Sequence, residues 1–502
     1  MTGFGVVATV SSDPLVRTSP PPMRLADLLE KASIREVRGD VGVSVLDVAY
    51  RSGDVRPGSL FFCVPGTKLD GHDFADEAVS SGATALVVER FLTATVPQVL
   101  VPSVRSAMGP IAAAFFGDPA GSMTVVGVTG TNGKTTTTYL LESIFEAAGL
   151  ASGLVGTTGA RVRGRHEPFE RTTPEAPDLH RLLAQMRDEG VRAVAMEVSS
   201  HALDQHRVGG VRYSLAVFTN LSQDHLDYHG SMEEYFAAKA KLFSPEMSDE
   251  AIVNADSPHG KRLLSSGLPT MTYGVEAASD VRATDIRASA EGVEFRVDGV
   301  AVRSSLRGRF NVWNCLAAFA SARAMGIDAT TAAEGIAALK GVPGRVEAVE
   351  EGQPFLVLVD YAHTPDGVEN VLAGARPLAE GRLIAVLGCG GDRDRSKRPL
   401  MGRAATALAD LTVITSDNPR SEDPIEIIRE MEPGAREGGG SYLVEPDRRS
   451  AIRLALRHAR GGDVVVIAGK GHETGQEFAD RTLPFDDRVV AAEELRAIRG
   501  DA

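Results

Sequence analysis

The chain has 502 residues, and at about 150 residues per domain this length predicts about three domains. Lysine and arginine number 53 against 67 aspartates and glutamates, a formal net charge of −14. This balance argues against a nucleic-acid binder, which carries a basic footprint. The 43% of hydrophobic residues suffices for several cores, and the 5% of aromatic residues predicts that these cores are aliphatic.

The cysteine content and the apolar runs exclude further classes of protein. The three cysteines lie far apart and form no C-x-x-C pair, which argues against a disulfide framework and a structural zinc site. No apolar run approaches the roughly 18 residues of a membrane span. We therefore expect a soluble cytoplasmic protein that binds no nucleic acid and inserts into no membrane.

The first part of the chain predicts a small α/β domain. Residues 1–22 are rich in serine and proline and have no basic region before their short apolar stretch, which predicts a disordered leader. Leu25, Leu28 and Leu29 then show helical spacing, and two β-type runs follow, SLFFCVPG and ATALVVE. The segment FGDPAGS, ending at residue 122, is typical of a linker. These patterns predict an N-terminal domain over 23–121.

The remainder of the chain has a strong α/β pattern. TVVGVT is typical of a buried strand, and a glycine-rich loop and a helix follow it, with Gly149 as the C′ residue of that helix. Further apolar runs are VRAVAMEV, YSLAVFTN, EAIVNAD, FLVLVD, RLIAVLG, LTVITSD and DVVVIAG. Continuous apolarity indicates parallel strands covered on both faces, whose carboxyl ends bind ligands in open α/β sheets. Glycine and proline residues in the segment 341–349 predict a boundary between a central domain, 122–344, and a C-terminal domain, 345–502.

The strongest local signal is VVGVTGTNGKTTTT, which begins at Val125. Its loop offers backbone N–H groups, and the N-terminus of the following helix favours anions. Lys134 can reach the β- and γ-phosphates of a nucleotide, and the hydroxyl of Thr135 suits Mg²⁺. The first glycine, Gly127, is one place early for the general P-loop pattern. The alternative, a glycine-rich turn without a ligand, is disfavoured because the strand, loop, Lys-Thr pair and helix all agree.

Acidic and histidine residues follow two of the predicted strands. Glu197 ends one strand and suits a Mg²⁺-directed carboxylate beside a P-loop, although alone it could be an ordinary strand-end glutamate. The segment TNLSQDHLDYHG concentrates Asp224, His225, Asp227 and His229. A catalytic zinc site is conceivable there, but the spacing lacks a zinc pattern, and for Asp227 and His229 a solvated loop is favoured. Lys239 and Lys241 lie on the polar part of the next helix, where a solvated face is the simple alternative.

Nine motifs together carry a resemblance to a known family. In chain order they are TGTNGKTTT, MEVSSHAL, FTNLSQDHLDYHG, AAKAKLF, GRFNVWNCLAA, VDYAHTPDG, GCGGDRDRSKRP, SDNPR and AGKGHE. They resemble the Mur ligases of peptidoglycan synthesis, and more narrowly the members that add the third amino acid, of the meso-diaminopimelate-adding type. The resemblance covers residues 127 to 476 and is looser in the N-terminal domain. It implies a UDP-binding N-terminal α/β domain, a central P-loop ATPase-type parallel sheet and a Rossmann-like C-terminal domain that binds the amino acid.

The resemblance implies a centre for ATP and Mg²⁺. The ATP-binding residues would be Gly130, Thr131, Asn132, Gly133, Lys134, Thr135, Thr136, Asn311, Asn314, Arg345 and Asp360. The catalytic residues would be Lys134, Glu197, His225 and Lys239, and the metal ligands Thr135, Glu197, His225 and Lys239. Lys239 would be the lysine that family members carry as a carbamate, since a carbamate is an oxygen ligand of the right charge and an ammonium is repelled by Mg²⁺. His363 belongs to a motif, and its role stays open.

The resemblance also implies the residues that bind the two substrates. UDP-N-acetylmuramoyl-L-alanyl-D-glutamate would contact Ser52, Thr172, Thr173, Ser199, Gln205 and Arg207. Near Ser52 the usual Asp-Ser-Arg triplet of the family is replaced by Tyr50–Arg51–Ser52. meso-Diaminopimelate would contact Arg393, Asp417, Asn418, Arg420, Gly469 and Glu473. It differs from lysine by one carboxylate, which guanidinium groups capture well, and the alternative is an exposed salt-bridged loop.

The predicted activity is ATP-dependent amide formation through an acyl phosphate, carried out by a cytoplasmic monomer. The nearest rival is a folylpolyglutamate synthetase, which the uridine-type N-terminal domain and the DNPR motif disfavour. A P-loop regulator or motor is a rival from another class, and it would release phosphate without dependence on an amino acid. A nucleotide-binding scaffold without turnover is disfavoured by the complete set of predicted Mg²⁺ ligands.

Overall fold

The structure is a computed structural model that describes residues 20–66, 69–167, 169 and 171–500. It divides into two compact units. The first unit comprises the described residues up to Ser122 with Glu175–Gly190 and Gln205–Val211, and the second unit comprises the others. Most of the predicted leader, residues 1–19, lies outside the described residues. The domain boundaries at 121/122 and 344/345 stay predictions.

Seven short strands form two sheets in the first unit. They are β1 (Met23–Arg24), β2 (Glu36–Arg38), β3 (Ser44–Val45), β4 (Asp47–Ala49), β5 (Ser59–Phe62), β6 (Ala85–Val88) and β7 (Gln98–Leu100). The larger sheet has the order β2-β7-β6-β5-β4, with β4 to β7 parallel and β2 antiparallel, and β1 pairs with β3. The helices of this part are α1 (Leu25–Leu29), α2 (Ala75–Ser80) and α3 (Val104–Phe115). The predicted helix at Leu25 is therefore confirmed, and its three leucines are buried.

The predicted linker at 116–122 is a packed segment. Phe116 and Ala120 are each only 2% exposed. The ring of Phe116 meets that of Phe115 edge-on with centroids 5.0 Å apart, so an aromatic side chain anchors the start of this segment in the first unit's core. A 3₁₀ turn, Pro119–Ser122, completes it. The Gly/Pro/Ser composition alone could not show this burial.

The second unit contains a nine-stranded sheet. Its strands are β8 (Thr124–Thr129), β9 (Ser152–Gly156), β10 (Gly159–Val162), β11 (Arg165–Glu167), β12 (Ala193–Glu197), β13 (Tyr213–Phe218), β14 (Ser248–Asn254), β15 (Thr270–Gly274) and β16 (Val281–Arg282). The order is β11-β10-β9-β12-β8-β13-β14-β15-β16, and all neighbours are parallel except at β10 and β11. Strand β8, which precedes the predicted phosphate loop, is thus central.

Helices and a small antiparallel sheet accompany this large sheet. The helices are α4 (Lys134–Ala147), α5 (Ala176–Asp188, part of the first unit), α6 (Ser200–Asp204), α7 (Leu226–His229), α8 (Met232–Ala240), α9 (Pro258–Leu263), α10 (Asn311–Ala324) and α11 (Ala329–Ala338). The small sheet is β17 (Thr284–Ser289), β18 (Gly292–Val297) and β19 (Val300–Ser304). Gly149 has a left-handed φ of 71° just beyond α4, which confirms its prediction as a C′ residue.

A six-stranded sheet forms the carboxyl-terminal part of the second unit. Its strands are β20 (Glu347–Ala348), β21 (Leu356–Asp360), β22 (Leu383–Cys389), β23 (Leu411–Ser416), β24 (Ser441–Val444) and β25 (Val464–Ala468), and β26 (Gly475–Glu477) pairs with β27 (Thr482–Pro484). The order is β20-β21-β25-β22-β23-β24, parallel except at β20. The helices are α12 (Pro365–Ala375), α13 (Lys397–Leu408), α14 (Pro424–Gly438), α15 (Arg448–His458) and α16 (Asp487–Gly500).

Every apolar run that the sequence analysis assigned to a parallel strand forms one. The central strands are almost wholly buried because helices and loops cover both faces, as continuous apolarity indicates. The cores are aliphatic, rich in Val, Leu, Ile and Ala. Within the described residues no helix is both long and apolar enough to cross a membrane.

Helix α5 places a buried histidine in the first unit. The Nε2 atom of His180 lies 2.9 Å from the carbonyl oxygen of Gly209. Burial lowers the pKa of His180 to about 4, because the imidazolium would lose its hydration. The ring is therefore neutral at pH 7, with the Nε2 proton directed at Gly209.

This histidine should make the first unit sensitive to acid. A group whose folded pKa lies below its unfolded value of about 6.5 costs stability as pH falls, since the unfolded state binds the proton first. Between pH values of about 6.5 and 4, His180 should lower the free energy of unfolding by up to about 3 kcal/mol. His180→Gln removes this contribution, so we expect the Tm of the variant to fall less over this range. Differential scanning calorimetry across this range measures it. An unchanged dependence of Tm on pH in the variant would contradict the assignment.

Candidate active site

A cavity of about 450 Å³ lies at the carboxyl ends of the central strands in the second unit. It is lined by the predicted phosphate loop, by side chains following β12 and β13, and by residues of the carboxyl-terminal sheet. Sequence-predicted residues in its wall are Thr131, Asn132, Gly133, Lys134, Thr135, Thr136, Thr172, Glu197, Ser199, His225, Asn311, Asn314, Arg345 and Asp360. The edge rule for parallel sheets thus holds, and one cavity collects residues from many separate stretches of chain.

The residues that directly follow β13 hold the phosphate loop in place. The backbone N–H groups of Thr131 and Asn132 donate to Asn220, at 2.9 Å each. A Cβ at Gly130 would lie 1.9 Å from the hydroxyl oxygen of Thr219, so only glycine fits. Gly133, with a left-handed φ of 86°, turns the chain into α4. The amides of residues 131 and 132 are thus committed to holding the loop in shape in this conformation.

Two lysines converge on one carbonyl oxygen of this loop. The Nζ atoms of Lys134 and Lys239 donate to the carbonyl of Gly130 at 2.9 and 2.8 Å. Burial and the nearby charge of Lys134 hold the pKa of Lys239 well below its usual value, and burial lowers the pKa of Lys134 as well. Lys239 is only 2% exposed, so the solvated helix face is wrong for this residue. Lys241 instead pairs with Asp204 at 2.8 Å.

Glu197 is a fully buried carboxylate held by a threonine that the sequence analysis did not name. Its Oε1 accepts from the backbone N–H of Thr157 at 2.8 Å, and its Oε2 accepts from the Thr157 hydroxyl at 3.0 Å. A Cβ at Gly156 would lie 2.4 Å from Oε1. Among the described residues no lysine or arginine forms an ion pair with Glu197 within 4.0 Å. The sequence feature that could have pointed to Thr157 is the G-T-T segment at the end of β9, but this segment matches no motif.

Three residues predicted for the nucleotide-sugar substrate surround Glu197. The hydroxyls of Thr157 and Thr172 are 3.2 Å apart. The hydroxyl of Thr173 donates to the Glu197 carbonyl at 3.0 Å, and it accepts from the N–H of Ser199 at 3.2 Å. The structure therefore brings Thr172, Thr173 and Ser199 together at the end of β12.

The other three residues predicted for that substrate belong to the first unit. Arg207 pairs with Glu175 at 3.2 Å and donates to the side chain of Gln205 at 2.5 Å. Ser52 begins a 3₁₀ turn, Ser52–Asp54, and is partly exposed. Beside it Tyr50 donates its hydroxyl to Asp178 at 2.7 Å. Tyr50, the first residue of the altered triplet, is therefore held by a hydrogen bond within the first unit.

Asp224 connects the central strands to the carboxyl-terminal part. Its carboxylate lies 3.3 Å from His225 Nε2, 3.7 Å from His363 Nε2 and 3.4 Å from Lys397 Nζ. Burial opposes ionisation, but the nearby His363 and the charge of Lys397 hold the pKa of Asp224 well below its usual value. Lys397 was missed by the sequence analysis, because only the fold brings residues 173 positions apart into contact.

The histidines of the segment after β13 differ in environment. Burial lowers the pKa of His225 to about 3, so its ring is neutral and one of its nitrogens can offer a lone pair. The solvated loop predicted for His229 is wrong, since His229 is 8% exposed and its Nε2 lies 2.9 Å from the hydroxyl of Ser200. Asp227 is exposed, as expected. Within the described part of the chain no three His, Cys, Asp or Glu residues are arranged to hold a metal ion, so nothing favours the zinc alternative.

The carboxyl-terminal part reaches the phosphate loop through Arg345. Its guanidinium donates to the hydroxyl of Thr135 at 2.9 Å and stacks over Tyr361, 4.6 Å from the ring centre. Asp360 is buried and accepts from the backbone N–H groups of Val346 and Ala362, both at 2.8 Å, and burial raises its pKa. The hydroxyl predicted as a metal ligand is therefore in contact with a cation from the second sheet in this conformation.

The two predicted asparagines lie next to the phosphate loop. Asn311 and Asn314 open α10 and are joined by a hydrogen bond of 2.8 Å. A Cβ at Gly133 would lie 2.3 Å from Oδ1 of Asn314. Helix α10 therefore packs directly against the loop through a buried amide.

A second polar cluster follows β23 and β25. Asn418 donates to Oε2 of Glu473 at 2.8 Å, and the buried Nζ of Lys470 donates to the same oxygen at 3.1 Å and to Asn418 at 2.7 Å. Lys470 also lies 3.7 Å from Asp417. A Cβ at Gly469 would lie 2.3 Å from Asp417 Oδ2. The sequence analysis missed Lys470, although it stands inside the AGKGHE motif.

Two predicted arginines flank Gly390 beside this cluster. A Cβ at Gly390 would lie 3.0 Å from Arg420 Nη1 and 3.8 Å from Arg393 Cγ. Arg420 has a left-handed φ of 52° and pairs with Glu477 at 2.8 Å, while Arg393 is exposed and donates to its neighbour's carbonyl at 3.0 Å. Two other cations of this basic segment, Arg395 and Arg398, pair with glutamates of the same region. The basic segment therefore contains guanidinium groups that are paired with glutamates and, in Arg393, one that is exposed.

The fold and the site define a P-loop α/β protein in which two sheets contribute to one cavity. Three family descriptions match the chain: "Mur ligase family, catalytic domain" at residues 47–116, "Mur ligase middle domain" at 128–322 and "Mur ligase, glutamate ligase domain" at 344–471. The chain belongs to the Mur ligase family, which confirms the resemblance seen in its motifs.

Relatives of known name cover almost the whole chain. A UDP-N-acetylmuramoyl-L-alanyl-D-glutamate--2,6-diaminopimelate ligase of Geobacillus thermodenitrificans is 49% identical over 491 residues, 95% of this chain and 100% of the relative. A ligase of the same name from Streptomyces avermitilis is 44% identical over 96% of this chain and 100% of its own. A solved structure with this name is 33% identical, with a TM-score of 0.68, and covers 95% of this chain and 99% of its own.

A more distant structure shares the fold alone. Mycobacterium tuberculosis folylpolyglutamate synthase, complexed with ADP and AMPPCP, is 18% identical with a TM-score of 0.59 over 78% of this chain and 94% of its own. The predicted α/β class is therefore confirmed, and the enzyme given as the nearest rival shares the fold.

The close packing of Gly133 against Asn314 can be tested by substitution. Gly133→Ala should weaken ADP binding about tenfold or more, about 1.4 kcal/mol, because the new Cβ collides with the buried amide of Asn314. Gly149→Ala is the matched control at the other end of α4, where φ is also positive but no atom lies within 4 Å. Isothermal titration calorimetry with ADP compares them. Equal affinity of the two variants would show that the loop does not shape the nucleotide site.

Proposed function

We propose that the chain is an ATP-dependent amide ligase that joins meso-2,6-diaminopimelate to UDP-N-acetylmuramoyl-L-alanyl-D-glutamate in cytoplasmic peptidoglycan precursor synthesis. Relatives 44–51% identical over most of the chain carry this activity in their names. The observation that carries the proposal is that one unit holds both a lysine-bearing phosphate loop and, after β23 and β25, a carboxylate–amide cluster flanked by two guanidiniums. Such a pair of sites suits activation of one substrate and capture of an amino acid.

The reaction proceeds by two displacements. The γ-carboxylate of D-glutamate attacks the γ-phosphorus of ATP, the bond to the β-phosphate oxygen breaks, and an acyl phosphate and ADP form. The neutral amine of diaminopimelate then attacks the acyl carbon, loses a proton, and phosphate leaves. Lys134 faces the loop and is placed to neutralise the transferring phosphoryl group. Thr172, Thr173 and Ser199 lie beside Glu197, where they can position the acceptor substrate.

The residues around the phosphate loop fit Mg²⁺. Glu197 is a fully buried carboxylate whose hydrogen bonds come from Thr157 alone among the described residues, an arrangement that suits a cation. Thr135 and a carbamate on Lys239 would add oxygen ligands, and His225 presents a neutral ring. When bound, Mg²⁺ supplies charge neutralisation to the phosphates.

The environment of Lys239 supports carbamate formation. An amine attacks CO₂ only when neutral, and burial and the charge of Lys134 favour the neutral form. The new N–C bond releases one proton and converts a buried base into an anion. That anion would lie beside Lys134, whose charge repels Lys239 when it is a cation.

The cluster after β23 and β25 suits the amino acid. Lys470 and Asn418 both use Oε2 of Glu473, and no hydrogen bond to Oε1 is found within the described residues, so that oxygen is available to an ammonium group. Arg393 and Arg420, either side of Gly390, suit the carboxylate that distinguishes diaminopimelate from lysine.

A phosphate-release assay tests the function. With ATP, Mg²⁺ and UDP-N-acetylmuramoyl-L-alanyl-D-glutamate, phosphate release should depend on diaminopimelate and be much slower with lysine. Release without any amino acid would instead support a P-loop regulator. Activity with a folate substrate would support the synthetase plan of the distant structural relative.

Removal of the Arg420 guanidinium should affect one substrate selectively. Arg420→Ala should raise the KM for diaminopimelate ten- to a hundredfold, since a charge-assisted hydrogen bond contributes roughly 1.5–3 kcal/mol, and leave the KM for ATP within about twofold. Arg429→Ala, which removes an exposed arginine paired with Glu426, is the control. Steady-state kinetics with each substrate varied in turn measures the difference. An equal rise in both KM values would refute the role of Arg420.

Loss of the buried lysine should remove turnover while the fold persists. Lys239→Ala should lose at least about 99% of kcat, which corresponds to about 2.7 kcal/mol, because a metal ligand disappears. Lys241→Ala, two residues along on a partly exposed ion pair, should keep its activity. Calorimetry checks the fold, and ¹³C NMR with labelled bicarbonate should show a carbamate signal only where Lys239 is present. Full activity of Lys239→Ala would remove the carbamate from the mechanism.

A further inference from the structure

The cavity wall includes aromatic side chains that have no role in the function proposed for it. Trp313 lies in the first turn of α10 and lines the cavity with Tyr273, Leu306 and Phe310. It is the single tryptophan of the chain. Lys134, the cation of the phosphate loop, lines the same cavity. One cavity therefore holds both apolar ring surfaces and a cationic phosphate loop.

The indole of Trp313 is held in one orientation. Its Nε1–H donates to Oδ2 of Asp256 at 2.7 Å. Asp256 is itself fixed, because its carboxylate accepts from the backbone N–H groups of Val275 and Ala277 at 2.7 and 2.6 Å. Partial burial opposes ionisation of Asp256, but these backbone donors and the indole outweigh it and lower its pKa. The ring therefore has a charged, rigid anchor on its edge.

The surroundings of the indole distinguish a binding surface from an ordinary core residue. Trp313 is only partly buried, whereas its neighbours Val312 and Asn314 are 0% and 7% exposed. It packs against the aliphatic core of the second unit and also borders the cavity. Its polar atom is already satisfied, so what it offers a ligand is the π-face, which suits an aromatic ring.

We propose that Trp313 is the platform on which the base of the nucleotide stacks, and that Asp256 is the positioning residue that fixes the platform. The proposal rests on the nucleotide-dependent function proposed above and adds a determinant of nucleotide recognition to it. Helix α10 links the two ends of one ligand, since Asn314, the next residue, packs on Gly133 of the phosphate loop. Helix α10 would therefore contact both the planar base, through Trp313, and the loop that binds the phosphates.

Intrinsic fluorescence provides the first test, because all tryptophan emission comes from position 313. ADP should change this emission saturably, whereas inorganic tripolyphosphate, which occupies the loop without a base, should not. Asp256→Asn should shift the emission maximum and weaken ADP binding by less than removal of the ring. Emission that ADP leaves unchanged would overturn the proposal.

Substitution of the ring provides the second test. Trp313→Leu should raise the KM for ATP about tenfold, whereas Trp313→Phe, which keeps a stacking ring, should stay within about threefold. The KM for diaminopimelate and inhibition by tripolyphosphate should be unchanged in both, which also shows that the variants fold. An unchanged KM for ATP in Trp313→Leu would overturn the proposal.

The two tests separate this inference from the proposed function. Amino-acid-dependent phosphate release with no response of Trp313 to ADP would defeat the platform and leave the ligase intact. A response of Trp313 to ADP without amino-acid-dependent phosphate release would defeat the ligase and leave the platform intact.

Discussion

The site depends on one backbone carbonyl, that of Gly130, which accepts hydrogen bonds from two buried lysine side chains. Two ammonium groups this close repel each other, and burial makes both costly. A polyanion relieves the cost, as does conversion of one lysine into an anion. The binding of phosphates and the carbamate on Lys239, both proposed above, would therefore be favoured for one physical reason. Only glycine fits at that position, because Thr219 lies where a side chain would be.

A second constraint joins the two sheets of the larger unit. Arg345, just before β20, contacts Thr135 at the start of α4, and Lys397, the first residue of α13, contacts Asp224 after β13. Both contacts join a cation of the carboxyl-terminal part to a polar group of the central strands. Lys397 and Arg393 belong to the same short segment, which therefore contains both the contact to Asp224 and an exposed arginine beside the second polar cluster.

Most of the fold and the plan of the site could be predicted from the sequence, because both depend on local pattern. Continuous apolar runs predicted the parallel strands, and the glycine-rich loop after β8 pointed to the wall of the cavity. The through-space partners could not be predicted: Thr157 under Glu197, Lys470 beside Glu473, and Lys397 on Asp224. Burial of His229 and Phe116 was also missed, because a polar or Gly/Pro-rich segment does not reveal what packs on it.

The path of the chain between the two compact units has a consequence for how the protein can be divided. The chain passes from one unit to the other after Ser122, Pro174, Gly190, Asp204 and Val211. The first unit is therefore assembled from three separate stretches, and α5 supplies Ala176 and Ala184 to the same core as α3. A fragment that ends at Ser122 would lack those side chains and expose apolar surface to water. Proteolytic cleavage at the first crossing would accordingly leave the two units joined, since later crossings still tether them.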